Sequence, residues 1–271
     1  MQIFAYENHE PSLLPDGNWK LVWNDEFDGD TLDLTKWDYR LSMMQKRHPV
    51  WSDKALTVEN SMAVFHLMLE DGTPVSSQLQ TGYNFMDTVV HETTFGNDHL
   101  QWPIGKLHKD LFTHRYGYYE CRCRLQQKEG WWSAFWMQSP VIGASNDPKD
   151  TGAEIDIMEC FDTKGTIVPH NAFAGGYGED MTRFSAGGNI EVDPKEFHRF
   201  GMKWDEEGYT FYIDGVEDGH VSGNVSGHPE FILISTEVKG ARYADHKVVK
   251  EAYDSVGDTF LVDYVRVFDA E

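Results

Sequence analysis

The sequence predicts an all-β fold in which two antiparallel sheets pack face to face as a sandwich or jelly roll. Three observations lead there. Apolar and polar residues alternate with period two; Gly, Pro, Asn and Asp interrupt the alternation at short intervals; and no long stretch carries helical periodicity. Neither a linker nor an internal repeat is visible, and 271 residues suit one large β domain, so residues 1–271 are taken as a single domain.

Four segments carry the pattern most clearly. Along residues 118–125, Glu120, Arg122 and Arg124 share one strand face while Tyr119, Cys121, Cys123 and Leu125 share the other, which makes the two cysteines core residues. Side chains two apart on one strand are also poorly placed to bridge each other. Residues 131–138 set Trp132, Ala134, Trp136 and Gln138 on one face and Trp131, Ser133, Phe135 and Met137 on the other. Rings on both faces suit a thick core; they equally suit a core on one side and a ring-floored cleft on the other, where flat apolar surface can meet the C–H face of a sugar. Residues 209–216 read as a hairpin turning at Asp214-Gly215, a pair suited to positive φ. Near the end, residues 260–268 alternate as a closing strand.

Composition excludes several roles. With 45 acidic against 23 basic residues the net charge is -22, which repels a phosphate backbone, so no nucleic-acid partner is expected. No apolar run approaches the roughly 18 residues of a membrane span, and the mean hydropathy is -0.52. Residues 1–15 lack both a basic start and an apolar run, so no signal peptide is visible. The expected location is the cell exterior or envelope, with the leader absent from this chain; the cytoplasm is the alternative. A monomer is expected.

Chemistry concentrates in residues 153–160, where Glu154, Asp156 and Glu159 interrupt an apolar run. Acids at i, i+2 and i+5 arise about once by chance in so acidic a chain, and two further sets occur, Asp28/Asp30/Asp33 and Glu191/Asp193/Glu196. The former lies in turn-like polar sequence, where acids cap backbone or face water. Pro194 sets the latter apart from any central strand. Strict alternation would turn Glu159 away from Glu154 and Asp156 and into the core, an expensive place for an unpaired acid. A one-residue β-bulge near Ile157 or Met158 returns it to their face. The glutamate Cα atoms then stand ~13 Å apart, and side chains leaning inward by ~4 Å each bring the carboxyls to ~5 Å. That separation suits a retaining glycosidase, with one glutamate as nucleophile and the other as acid and then base. Three crowded acids cannot all ionise freely, so at least one retains its proton near neutrality. A solvated acidic strand and a calcium site are the alternatives.

These residues resemble glycoside hydrolase family 16, the laminarinase, lichenase, agarase and carrageenase group. The family pattern Glu-x-Asp-x-x-Glu is carried by Glu154, Asp156 and Glu159 in the bulged form of the laminarinase and agarase branch. Supporting stretches are Leu21-Val22-Trp23-Asn24-Asp25-Glu26-Phe27, Tyr116-Gly117-Tyr118-Tyr119-Glu120, Phe197-His198 leading to Trp204, and Val262-Asp263-Tyr264-Val265-Arg266-Val267. The resemblance implies a concanavalin-like jelly roll with a concave substrate groove. It also implies a retaining, endo-acting hydrolase of β-linked polysaccharide or oligosaccharide, either β-1,3- or mixed-linkage glucan or a related β-galactan. Glu154 would be the nucleophile, Glu159 the acid/base, and Asp156 the residue that orients and tunes Glu154.

By the same resemblance Trp132, Trp136 and Gln138 line the sugar cleft, Asn171 and Phe173 lie near sugar-contacting positions, and Glu237 and Trp51 are further candidates, Trp51 as a cleft wall or as a buried ring under its loop. His170, the histidine available in this stretch, is out of phase with Asn171. No cofactor is expected for catalysis. Asp263, with Glu26 near it, matches the aspartate of a structural calcium site on the convex face, and both also suit ordinary capping roles. The other histidines show no metal-ligand spacing. A catalytically silent carbohydrate-binding protein on the same fold would be expected to lack one of the acids, and a transglycosylase would intercept the covalent intermediate with a sugar hydroxyl.

Overall fold

Strands with one apolar face each bury those faces most economically by stacking two sheets. The computed structural model describes residues 1–44, 46–85, 87, 109–161, 163, 167–242 and 247–271. The strands of its two large sheets are β1 (Trp19–Asp25), β2 (Asp38–Tyr39), β3 (Leu56–Val58), β4 (Ala63–His66), β5 (Gln78–Gln80), β6 (Gly117–Arg124), β7 (Trp131–Gln138), β8 (Glu154–Cys160), β9 (Ile167–Ala174), β10 (Thr182–Glu191), β11 (His198–Asp205), β12 (Gly208–Ile213), β13 (Val216–Val221), β14 (Phe231–Val238) and β15 (Thr259–Ala270). The first sheet runs β10-β9-β8-β7-β14-β5-β2. The second runs β13-β12-β11-β6-β15-β4-β3, with β1 pairing the C-terminal half of β15. All these pairings are antiparallel, as the frequent turn residues require. Among the described residues no helix is long and apolar enough to cross a membrane.

The main core fills the space between the sheets. Trp131, Phe135 and Met137 of β7 and Ile155, Ile157, Met158 and Cys160 of β8 meet Tyr119, Cys121, Cys123 and Leu125 of β6 in one apolar cluster. The strand phase expected for residues 118–125 therefore holds, and both cysteines are buried and unbridged. At the hairpin between β12 and β13, Asp214 and Gly215 take φ of 49° and 77°, the paired positive values that match strand twist across a two-residue loop. The expected closing strand extends over residues 259–270 and lies inside the second sheet, between β6 on one side and β4 and β1 on the other.

The far face of the second sheet is covered by the N-terminal segment. There Arg266 is completely buried, yet its guanidinium is well supplied with acceptors. Nε donates to Glu26 Oε1 at 2.9 Å and Nη2 to Glu26 Oε2 at 2.7 Å, while Nη1 donates to the Glu10 carbonyl and Ser12 Oγ, both at 2.9 Å. Such a two-pronged arrangement matches the guanidinium fork to both carboxylate oxygens.

This geometry gives both residues of the expected calcium pair other partners. Both oxygens of Glu26 are taken up by Arg266, and Asp263 Oδ2 accepts from Arg122 Nη1 at 2.6 Å. Each carboxylate thus neutralises a different guanidinium. Among the described residues no group of three or more His, Cys, Asp or Glu is arranged to hold a metal ion. Glu26 and Asp263 each hold an arginine, in keeping with the ordinary capping roles that were the alternative expectation.

Removing one member of a buried ion pair strands the other charge, which costs about 3–5 kcal/mol. Arg266→Ala is expected to lower the denaturant-derived unfolding free energy by that amount, whereas a loss below about 1 kcal/mol would mean that Glu26 finds another partner or a proton.

Candidate functional site

The two central strands of the first sheet decide which side chains meet. Between β7 and β8, Ala134 faces Glu159, Phe135 faces Met158 and Trp136 faces Asp156, so the register passes over Ile157. This is the bulge expected near residues 157–158. On either side of it the apolar residues stay in the core, while Glu154, Asp156 and Glu159 come out beside Gln138, Trp136 and Ala134 on the outer face of the sheet. Trp132 stands opposite Glu237 of β14, and Ala134 opposite Ser235. On the other flank, Phe173 faces Glu154 and Asn171 faces Asp156. Sequence-predicted Glu154, Asp156, Glu159, Trp132, Trp136, Gln138, Asn171, Phe173 and Glu237 therefore share one sheet face.

The acids are not equivalent. Burial is the largest effect on each and favours the uncharged form. Asp156 lies between two like charges, and burial followed by Glu159 and Glu154 holds its pKa well above the ordinary aspartate range. Glu159 is pushed up to about 7 by burial and then by Glu154. Glu154 is raised by burial but pulled back by a hydrogen bond from the Tyr177 hydroxyl. Gln138 Nε2 donates both to that hydroxyl and, at 3.4 Å, to Glu154 Oε2. One end of the row thus has donors aimed at a carboxylate, and the other holds a proton near neutrality.

Neighbouring side chains fix this row. Asn171 hydrogen-bonds Asp156, and its own Oδ1 accepts from Arg183 Nη2 at 2.7 Å and Ser185 Oγ at 2.8 Å. These donors to Oδ1 orient the amide nitrogen toward Asp156. Asn171 is buried and braces the acids from the neighbouring strand. Phe173 lies under the Arg183 guanidinium, 5.5 Å from the ring centroid. Trp136 donates from Nε1 to Ser235 Oγ at 2.9 Å, and Trp132 tilts against Phe161 with centroids 5.5 Å apart.

Trp51 requires a correction. It is 2% exposed and belongs to the interior cluster, where it stacks on His48, so of the two expected readings burial under the loop holds and the cleft wall does not. Its outward influence runs through Arg40, whose guanidinium lies 5.3 Å from the rings of both Trp51 and Trp136. Arg40 is further tied to Asp87 at 2.6 Å and to Gln78 Oε1 at 3.2 Å.

Beside the acids is a cavity of about 150 Å³ lined by Arg40, Met43, Met44, Trp136, Gln138, Glu154, Tyr177, Glu237 and Arg242. Glu237 is 7% exposed, its Oε2 lacks a hydrogen-bond partner, and Arg242 Nε lies 3.9 Å away. Burial raises its pKa, and Arg242 and then Arg40 oppose the rise. Sequence reasoning missed Tyr177, Arg40 and Arg242. A signal for Tyr177 existed in Gly175-Gly176, both at positive φ, which turn the chain at the end of β9. Neither arginine had one. The rival acid triplets behave as solvated caps: Asp33 accepts from Thr35 N, and Asp193 from Lys195 N.

A groove floored with tryptophan and a row of buried acids is suited to acid-assisted cleavage of a sugar linkage. The family model for glycosyl hydrolases family 16 matches residues 43–231. The chain belongs to this family. It is therefore a glycoside hydrolase. Over 276 residues it is 25% identical to glucan endo-1,3-beta-glucosidase A1 of Niallia circulans, covering 92% of this chain and 37% of that protein. With a beta-glucanase of Rhodothermus marinus the identity is 26% over 268 residues, covering 93% and 85% of the two. The solved catalytic domain of an endo-1,3-beta-glucanase (laminarinase) from Thermotoga petrophila superposes with a TM-score of 0.63 at 22% identity, covering 94% of this chain and 100% of that one. That likeness establishes the jelly-roll fold.

The Tyr177 hydroxyl favours the ionised form of Glu154, so its removal should raise the glutamate's pKa. A carbon-13 carboxyl titration is expected to move Glu154 upward in Tyr177→Phe, and an unmoved titration would show that this bond does not tune it.

Proposed function

We propose that the chain is a retaining, endo-acting β-glucan hydrolase, acting on β-1,3- or mixed-linkage glucan by double displacement. The observation that carries the reading is the pairing, in one groove, of a donor-supported carboxylate at Glu154 with a proton-holding carboxyl at Glu159. The activities named for the Niallia and Rhodothermus relatives support the choice of glucan.

In the first step Glu154 attacks the anomeric carbon while Glu159 gives its proton to the departing glycosidic oxygen. The C–O bond to the leaving sugar breaks and a glycosyl ester of Glu154 forms. Esterification removes the negative charge of Glu154, one of the influences that raised Glu159. Glu159 therefore becomes a more stable carboxylate just when a base is needed. It then takes a proton from water, whose oxygen attacks the same carbon and releases Glu154. Asp156 orients Glu154 and, held by Asn171, keeps the row from collecting a third full charge. Trp132 and Trp136 offer ring faces to the sugars, with Glu237 and Phe173 at the margins.

Azide separates the two glutamates by stereochemistry. With an activated aryl β-glucoside, Glu154→Ala should hydrolyse less than about a thousandth as fast as the parent, and added azide should yield a glycosyl azide of inverted configuration through a single displacement. Glu159→Ala with azide should yield the retained configuration, because azide then meets the ester already formed. Azide products of one configuration from both variants would defeat the double-displacement assignment.

The parent enzyme's pH profile has a signed expectation. Glu159 must begin protonated, so kcat/KM on glucan should fall as pH rises through about 7. A parent profile with no basic limb, or a basic limb that persists unaltered in Glu159→Gln, would remove Glu159 from the acid role.

A further inference from the structure

The bulge that gathers the three acids leaves a backbone group to be satisfied. The register with β7 passes over Ile157, and the ladder with β9 ends at Asp156, so neither neighbouring strand pairs with residue 157. Its carbonyl is instead met from behind the sheet by His170, whose Nδ1 lies 2.7 Å from Ile157 O. A carbonyl only accepts, so Nδ1 carries the hydrogen and donates. The other ring nitrogen is 3.2 Å from Asp218 Oδ2, and both side chains are fully enclosed.

The ring has little freedom to move. It stacks on Phe211 with centroids 4.4 Å apart and planes within 3°. Asp218 is anchored in turn by backbone N–H groups of Gly188 at 2.9 Å and Asn189 at 3.0 Å. At Gly187 a Cβ would fall 2.4 Å from His170 Cδ2 and 2.7 Å from Asp218 Oδ2, so only glycine admits the approach. A continuous line therefore runs from β10 and β13 through the carboxylate and imidazole to the bulge. The sequence phase that turned His170 away from the groove is what brings it to this position.

We propose that His170 is a positioning residue for Glu159: from the core side of β9 it holds the carbonyl of Ile157, and with it the kink that presents Glu159 to the groove. Loss of the donor lets β8 relax toward regular pairing, in which alternation swings Glu159 away from Glu154. The kinetic consequence rests on the hydrolase reading above; the placement of Glu159 does not. The charged groups facing Glu159 are Glu154 and Asp156 on its own strand, Glu237 on β14 and Arg242 beyond it. A Glu159 swung to the core face trades this surrounding for fuller burial, which shifts its ionisation and makes it a direct reporter.

The test compares His170→Phe, which keeps a ring against Phe211 but cannot donate, with His170→Asn, whose amide nitrogen can take the place of Nδ1. Folding is checked by circular dichroism and thermal melting. In His170→Phe, kcat on β-1,3-glucan should fall about 30- to 100-fold with KM within about twofold, the scale of an ångström-level displacement of a catalytic group. A carbon-13 titration should move Glu159 further above the ordinary carboxylate range than in the parent. His170→Asn should recover kcat to within about fivefold of the parent and restore the titration. A folded His170→Phe in which Glu159 titrates as in the parent overturns the proposal, as does His170→Asn no better than His170→Phe. If His170→Phe does not fold, His170→Gln replaces it, since that amide reaches toward Nε2 and loses the bond to Ile157; the same readouts then decide. Should the parent prove inactive on glucan, the hydrolase reading fails while the titration still decides the role of His170.

Discussion

Three carboxyl groups held side by side at the edge of water form the constraint on which the rest of this structure depends. Each would ionise freely alone, but burial and mutual repulsion together keep protons on the row. Donors are distributed unevenly along it. Tyr177 and Gln138 favour charge at Glu154, Asn171 moderates Asp156, and the like-charged Glu237 raises Glu159. That asymmetry gives two copies of the same residue type different tendencies to ionise within one short strand, the difference on which the proposed division into nucleophile and acid rests.

Such a row can exist on a sheet only if the backbone breaks its own period. Two residues of offset preserve a face and three reverse it, so the spacing of Glu159 from Asp156 demands an unpaired residue between them. Ile157 fills that place because its side chain is welcome in the core while its peptide is lost to the ladder. The polar interior behind the groove answers this loss, and the unusual burial of His170 and Asp218 follows from it. Elsewhere, buried charge is handled by close pairing: Arg266 with Glu26 on the far sheet, and Arg40 between two indole rings with Asp87 on its fork.

The groove and the core are two faces of the same strands. Trp131, Phe135 and Met137 secure β7 from within, while Trp132 and Trp136 look outward. Removing rings from either side would therefore affect the other, because a rigid inner face is what fixes the ring orientation on the outer one. For a polysaccharide this rigidity matters, since flat ring faces set before binding lose little freedom when a sugar settles on them.

Much of this was legible without coordinates. Period-two alternation determined the strand phase of residues 118–125 and 131–138, the Asp214-Gly215 turn followed from its φ preferences, and the cost of an inward-facing Glu159 required the bulge. These are local matters, governed by a strand's own geometry and by the expense of burying charge. Tertiary structure alone decided the rest. It paired Glu26 with Arg266 and Asp263 with Arg122, where a structural cation and ordinary capping had both been open; it enclosed Trp51 behind Arg40; and it brought Tyr177, Arg40 and Arg242 to the acids from distant segments. An arginine is equally at home on any polar surface, so nothing in its sequence neighbourhood reveals which carboxylate it will meet. Alternation assigns a residue to a face, and only the packing of strands far apart in the chain assigns its neighbour on that face.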